Sequence, residues 1–229
     1  MAKTILVTGA TGMQGSSVVR EVLAAGFLVN ALVRNTSSPK ALELAALEGV
    51  TIFEGDYDDL EAIKAATVGV TGVFLNTFPS FTDPTTETRH AENFIAAAKV
   101  SGTVTTFIAS TVFRASQAVA FLSSPSKAAK FPFLAKYYAS KSSVEKAVLE
   151  SGIKNVTILR PTWLGYQYLA PYCEIHFKEW RKEHVLVTGF ERGYKQGHCD
   201  PYDVGKFAGK VFEKPDIFGG ENSGVGFRA

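Results

Sequence analysis

The sequence predicts an α/β fold, a Rossmann-type doubly wound parallel sheet with a small C-terminal substrate-side lobe, and three observations carry that prediction. The chain opens on an apolar run that stops at glycines 9, 12 and 15. Strand-like and helix-like segments then alternate through residue 160. The strand-like runs are apolar at successive positions, as strands covered by helices on both faces must be. At 229 residues and 46% hydrophobic composition the chain supports a single domain over 1–229, with 163–200 contributing the substrate-side region.

Lys3 to Gly15 reads as strand, tight turn and helix start. Gly9 permits a sharp exit from the strand, Gly12 lets the backbone approach a pyrophosphate, and Gly15 lets the helix pack on the strand with no Cβ between them. Val18, Val19, Val22 and Leu23 recur at helical spacing in the segment Ser16 to Ala25. The turn therefore has the strand-to-helix context that dinucleotide binding requires. Gly26 closes the helix, and Phe27 to Val33 reads as a second buried strand ending at Arg34. About twenty residues past such a turn an acid receives the ribose 2′-OH in NAD-selective sites, whereas a basic residue suits a 2′-phosphate. Residues 34–40 hold two cations and no acid, which points to NADP(H) as the cofactor.

Lys40 to Glu48 reads as a helix and Val50 to Phe53 as a strand. In the turn that follows, Asp58 or Asp59 can cap a helix from Leu60 to Ala66, and Asp56 is a candidate to bond an adenine amino group. Val70 to Asn76 is a fourth strand, leading to an aromatic loop from Thr77 to Phe81. A helix from Thr85 to Ser101 carries Ala91, Phe94, Ile95 and Ala98 on one face, and a fifth strand runs from Thr103 to Ser110. Val112 to Lys136, with four phenylalanines, Ser-Ser-Pro and Phe-Pro, reads as an irregular loop: a lid or wall over a pocket, or a loop with its own satellite core. A helix from Tyr137 to Ser151 and a strand from Asn155 to Arg160 complete six parallel strands with right-handed crossovers. Beyond Pro161 the chain is aromatic and aperiodic, with a helix expected over Glu174 to Glu183, a short strand over Val185 to Val187, and a last helix capped by Asp200 with Pro201 at its first position.

A net charge of +2 with dispersed cations predicts no nucleic-acid or anionic-membrane partner, and no apolar stretch approaches the ~20 residues of a membrane span. Cys173 and Cys199 lack metal-ligand spacing, so no metal site is expected, and they read as free thiols of a reducing compartment. The chain runs straight into its first strand without a leader, which makes a cytoplasmic protein the expectation. The expected partner is an apolar or aromatic small molecule, and a homodimer is compatible with the composition.

Tyr137 and Lys141, four residues apart, share one helical face, so the ammonium is expected to lower the pKa of the phenol. That suits a general acid that protonates a carbonyl oxygen, with Ser110 at the end of strand five bonding the same oxygen.

The Thr8 to Gly15 turn, Arg34, Gly55-Asp56, the Tyr137/Lys141 helix, the Leu159 to Pro161 strand end and Asp203-Val-Gly205 together resemble the short-chain dehydrogenase/reductase superfamily. The Gly-Met-Gln-Gly form of the turn resembles its atypical NmrA-like branch. The resemblance implies dinucleotide contacts from Gly9, Thr11, Gly12, Met13, Gln14, Gly15, Arg34 and Asp56, with Asn76, Thr77 and Phe78 along the cofactor, Lys141 at the nicotinamide ribose, and Pro161 and Thr162 near the carboxamide. Many members of that branch lack the tyrosine, so Tyr137 favours an enzyme. The Ser110 to Tyr137 interval is longer than in short classical members, and Tyr138 is an alternative donor. The chain stops soon after Gly219-Gly-Glu221, earlier than most relatives, so a more open pocket is expected.

The leading reading is an NADPH-dependent oxidoreductase that reduces an apolar or aromatic carbonyl or quinone-like molecule, with Tyr137 as proton donor, Lys141 tuning it and Ser110 orienting the oxygen. Phe81, Phe113, Trp163 and Tyr166 would line its pocket. The alternatives are an NADP(H)-sensing regulator without turnover and a non-redox isomerase or lyase on the same fold.

Overall fold

In β1 (Thr4–Thr8) successive side chains go to opposite faces of the sheet, and both sets are buried: Ile5 and Val7 in one apolar cluster, Leu6 in the other. The same division runs through β2 (Leu28–Val33), with Val29 and Ala31 against Leu32, and its consequence is a sheet that needs a helical layer on each side. The structure is a computed structural model that describes residues 2–80, 82–177, 179–187, 192–219 and 224–226.

The elements follow in the alternation the sequence implies. After β1 come α1 (Met13–Ala24), β2, α2 (Pro39–Ala45), β3 (Val50–Glu54), α3 (Leu60–Thr67), β4 (Val70–Asn76), α4 (Thr86–Ser101) and β5 (Thr106–Ser110). Next are α5 (Ala115–Leu122), α6 (Pro125–Lys130), α7 (Pro132–Leu149) and β6 (Asn155–Arg160). The remainder holds β7 (Trp163–Leu164), a 3-10 turn over Gly165–Tyr168, α8 (Cys173–His176), α9 (Trp180–Glu183), β8 (His198–Cys199), α10 (Pro201–Glu213), α11 (Pro215–Phe218) and β9 (Gly224–Gly226). The strand order is β3-β2-β1-β4-β5-β6-β9, each neighbour parallel to the next, and β7 pairs with β8 in a separate small sheet. The chain winds outward from β1 to β3 and then returns to β4 beside β1. The carboxyl ends of β1 and β4 therefore flank the switch point where ligands of open α/β sheets gather.

Several expectations need correction. The main sheet has seven strands rather than six, because β9 pairs with β6 through Ile158, Leu159 and Arg160. Helix α1 begins at Met13, ahead of the Ser16 start expected from the valine spacing, with Gly12 as its N-cap. The segment 112–136 is largely helical: Ser124 caps α6 by accepting from the Lys127 N–H, and Pro125 and Pro132 occupy first-turn positions where their missing N–H groups cost nothing. Proline read as a breaker is here a helix starter. Residues 185–187 form no strand, and the helix expected over 174–183 is two short pieces, α8 and α9.

On the face built by Ile5, Val7, Phe74 and Leu159, α1 packs against α10. Val204, Ala208, Val211 and Phe212 bury one stripe of α10, and Asp200 and Asp203 cap its start reciprocally, Asp200 accepting from the Tyr202 N–H while its own N–H donates to Asp203. Gly205 sits where a Cβ would lie 2.7 Å from the Ser17 carbonyl oxygen, so the two helices meet backbone to backbone. A methyl group there has backbone in its way on α1 and forces the helices apart. Gly205→Ala is expected to lower stability by about 1–3 kcal/mol, a fall of about 2–10 °C in Tm for a chain of this size, measured by circular dichroism.

Candidate functional site

The glycine turn is built around one carbonyl. Gly9 takes φ +59°, the left-handed region that side chains disfavour, and its carbonyl oxygen accepts from the Gly12 N–H at 2.8 Å. A Cβ on Gly15 would overlap that same oxygen, which is why α1 can begin directly over the end of β1. No side chain caps the start of α1, so its first N–H groups and the positive end of its dipole face outward, between Thr11, Gly12, Met13 and Gln14. This is a cradle for an anion.

The floor of the turn is tied down. The Thr8 hydroxyl accepts from the Asn76 N–H at 2.8 Å, joining β1 to the end of β4. The Tyr57 hydroxyl donates to the Asn76 carbonyl at 3.2 Å, and burial pushes that phenol upward from its ordinary value. Asp58 fixes the turn carrying Tyr57 to α4 through Arg89 at 2.9 Å and His90 at 3.2 Å. Hydrogen bonds from Arg89 and then His90 hold the Asp58 carboxyl down at about 2.

Arg34, at the end of β2, lines a cleft of about 380 Å³ with Glu54, Gly55, Asp56 and Asp59. Each acid has other work: Glu54 accepts from the N–H and hydroxyl of Thr36, Asp59 caps α3 through the Ala62 N–H, and Asp56 accepts from the N–H groups of Asp58 and Asp59. Among the described residues Arg34 makes no ion pair, which leaves a guanidinium facing the cleft.

At the other end of the switch point the structure brings Tyr137, Lys141 and Thr77 together, and it adds a residue that the sequence reading missed. Glu87, 1% exposed in the first turn of α4, accepts from Lys141 Nζ at 2.6 Å and from the Thr77 hydroxyl at 2.7 Å, and also from the Ser140 hydroxyl. Lys141 Nζ further donates to the Thr77 carbonyl at 3.0 Å and lies 5.9 Å from the centre of the Tyr137 ring. The signal for Glu87 was its spacing, since Glu87, Ala91, Phe94, Ile95 and Ala98 share one helical face. The expected lowering of the Tyr137 phenol is corrected: burial, then Tyr138, Glu87 and Tyr166, hold it above its ordinary range. The ammonium is nearby, but Glu87 answers its charge.

Ser110, buried at the end of β5, donates to Gln14 Oε1 at 2.7 Å and so braces the first turn of α1. Next to it Thr111 donates to Glu145, which Arg160 grips at 2.9 and 2.8 Å. Phe78 is exposed and Pro161 buried, while Phe113 is half-buried, its N–H bonded to the Pro161 carbonyl at 2.9 Å. Thr162 lies beside the Cys199 thiol. Trp163 packs with Tyr168 and Phe177, and Tyr166 meets Tyr172 edge to face at 4.8 Å while standing close enough to Tyr137 to act on its charge. Phe81 lies outside the described residues. Among the described residues no cluster of His, Cys, Asp or Glu suits a metal ion, and no helix is long and apolar enough to cross a membrane.

A family model described as the NmrA-like family matches residues 1–223. An NmrA-like family domain-containing oxidoreductase of Aspergillus japonicus is 30% identical over 172 residues, which is 73% of this chain and 48% of the relative. The solved structure of NmrA, a negative transcriptional regulator, in complex with NADP has a TM-score of 0.76 at 23% identity, covering 98% of this chain and 66% of that one, a likeness of fold. The NADPH-dependent quinone oxidoreductase QOR2 of Escherichia coli, complexed with NADPH, has a TM-score of 0.68 at 26% identity, covering 92% of this chain and 65% of that one. The chain spans between 25% and 48% of the length of the first three curated relatives that it matches.

The Asp58 anchor has a pH signature. A carboxyl held at about 2 instead of 3.8 adds stability that is present above the unfolded value and is lost as pH falls from 3.8 towards 2. The pair is half exposed, so Asp58→Asn is expected to cost under about 1 kcal/mol at neutral pH, with the difference in Tm from wild type shrinking below pH ~4.

Proposed function

This chain belongs to the NmrA-like family, and from that premise we propose that it is an NADP(H)-dependent oxidoreductase that reduces a carbonyl or quinone-like group on an apolar, aromatic small molecule. The observation that carries the reading is the layout of the switch point: an uncapped helix start over the glycine turn, with the Arg34 guanidinium facing a cleft on one side and Tyr137 with Lys141 on the other. The cradle fits a dinucleotide, because a Cβ at Gly15 would fill the space that brings α1 onto the Gly9 carbonyl. The oxidoreductase relative and the NADPH-bound quinone oxidoreductase support the reaction class.

In this reading Gly9, Thr11, Gly12, Met13, Gln14 and Gly15 hold the pyrophosphate, Arg34 the 2′-phosphate, and Asp56 the adenine. Asn76, Thr77 and Phe78 run along the cofactor, Lys141 donates to the nicotinamide ribose, and Pro161 and Thr162 stand at the carboxamide. When bound, NADPH supplies the hydride. Tyr137 supplies the proton to the oxygen that becomes negative: its phenol is kept neutral by burial, the protonation state a donor needs. The Ser110 hydroxyl must release Gln14 before it can donate to that oxygen. Phe113, Trp163 and Tyr166, with Phe81, form the apolar wall against which an aromatic substrate stacks.

Calorimetric titration with NADPH and NADH tests the cofactor. Arg34→Ala is expected to weaken NADPH by about 10–100-fold, the loss of a charge-assisted bond to phosphate, while NADH changes less than about twofold. Equal losses for both nucleotides would refute the 2′-phosphate role. Tyr137→Phe is expected to lower reductase turnover by about 10²–10⁴ and to spare NADPH affinity; unchanged turnover would remove Tyr137 as the donor.

A further inference from the structure

Lys141 is one of the most buried charged groups in the protein, 5% exposed, and its partner Glu87 is 1% exposed. Replacing a buried ion pair by apolar residues of similar size is often neutral or stabilising. Stability alone is therefore a weak reason for an acid and a base to meet between α4 and α7, and the geometry offers a better one. An ammonium has three N–H donors. Glu87 Oε1 takes one at 2.6 Å and the Thr77 carbonyl takes another at 3.0 Å, so one is left for a ligand. Thr77 follows β4 directly, beside Asn76, whose side chain reaches the glycine turn at Gly9.

We propose that Glu87 is a positioning residue of this site: it holds the Lys141 ammonium against the Thr77 carbonyl, leaves one N–H aimed at the cofactor, and offsets the ammonium's charge beside the Tyr137 ring. The inference rests on the cofactor reading above for the identity of the ligand, and on the network alone for the effect on Tyr137. The carboxylate is itself fixed on both oxygens, Oε1 by Lys141 and the Thr77 hydroxyl and Oε2 by the Ser140 hydroxyl. Three elements are thereby locked together: the start of α4, the end of β4 and the middle of α7. The charged or titratable groups that face Tyr137 are Lys141 and Tyr138 on its own helix, Glu87 from α4 and Tyr166 from the 3-10 turn. Removing the Glu87 charge deletes a negative neighbour of the phenol and leaves the ammonium unanswered, and both changes favour the phenolate.

Two measurements on Glu87→Gln, Lys141→Met and the double variant test this. In NADPH titrations E87Q is expected to weaken binding about tenfold, the order of one charged hydrogen bond, and the double variant is expected to bind no more weakly than K141M, because Glu87 acts through Lys141. In tyrosinate absorbance titrations, with Tyr137→Phe subtracted in each background, Tyr137 of E87Q is expected to ionise about one pH unit lower than in wild type. A purely structural Glu87 would move neither the coupling nor the phenol. Multiplying losses in the double variant, or an unmoved Tyr137 in folded E87Q, overturns the proposal. Should E87Q fail to fold, the double variant, which strands no charge, still decides: NADPH affinity below that of K141M overturns the proposal, and equal affinity supports it. Wild type that binds no NADPH defeats the cofactor reading instead, and the Tyr137 titration then judges Glu87 by itself.

Discussion

The structure depends first on the contact between Gly15 and the Gly9 carbonyl. With no Cβ at residue 15, α1 starts directly over the end of β1, and this places its uncapped N–H groups at the switch point. The same helix is the platform for α10, which reaches its backbone at Ser17 through Gly205 and its side chain at Glu21 through Gly209. A shift of α1 at the turn would therefore be felt through the whole apolar layer of Val18, Val22, Val204 and Ala208. The cradle and one half of the core are the same constraint seen from two sides.

The opposite face is organised by charge. Helix α7 buries a cation and an anion one turn apart, Lys141 and Glu145, and each is matched by a different element: Lys141 by Glu87 of α4, Glu145 by Arg160 of β6 and by Thr111 after β5. Two buried ionic groups on one stripe, each with its own partner, fix the rotation of α7 about its axis, because turning the helix would strand both. That rotation decides where Tyr137 stands. Val144 and Val148, buried on the same stripe, add apolar packing to the ionic register.

The substrate side is looser in construction. Helices α5 and α6 are short, Phe121 and Phe133 are largely exposed, and Lys127 Nζ lies 3.8 Å from the centre of the Phe121 ring. After β6, aromatic rings pack on one another, Tyr168 stacking on Phe177 at 5.3 Å and bonding His198 at 2.9 Å. The regular sheet thus positions the cofactor cradle, while short helices and ring contacts shape what lies opposite it, an arrangement that lets one scaffold serve different substrates.

Local patterns were sufficient for much of this. The glycine turn, the alternating strands, the apolar stripes of α1 and α4, and the reciprocal cap of α10 each depend on neighbours within a few residues, so periodicity and capping chemistry made them legible. Sequence reading mistook 112–136 for an irregular loop because proline at a first helical position and proline as a breaker look alike until the flanking residues are placed. It found Tyr137 and Lys141 but assigned the wrong electrostatic relation between them. An i, i+4 spacing specifies that two side chains share a face; it does not specify which distant group answers the charge. The sequence by itself determined a doubly wound sheet, the phosphate cradle and the candidate donors. Only the tertiary structure decided that Glu87, 54 residues from Lys141, takes the ammonium, that Ser110 holds Gln14, and that Arg34 is left facing a cleft, because each is a long-range pairing set by how α4, α7 and the strand ends pack together.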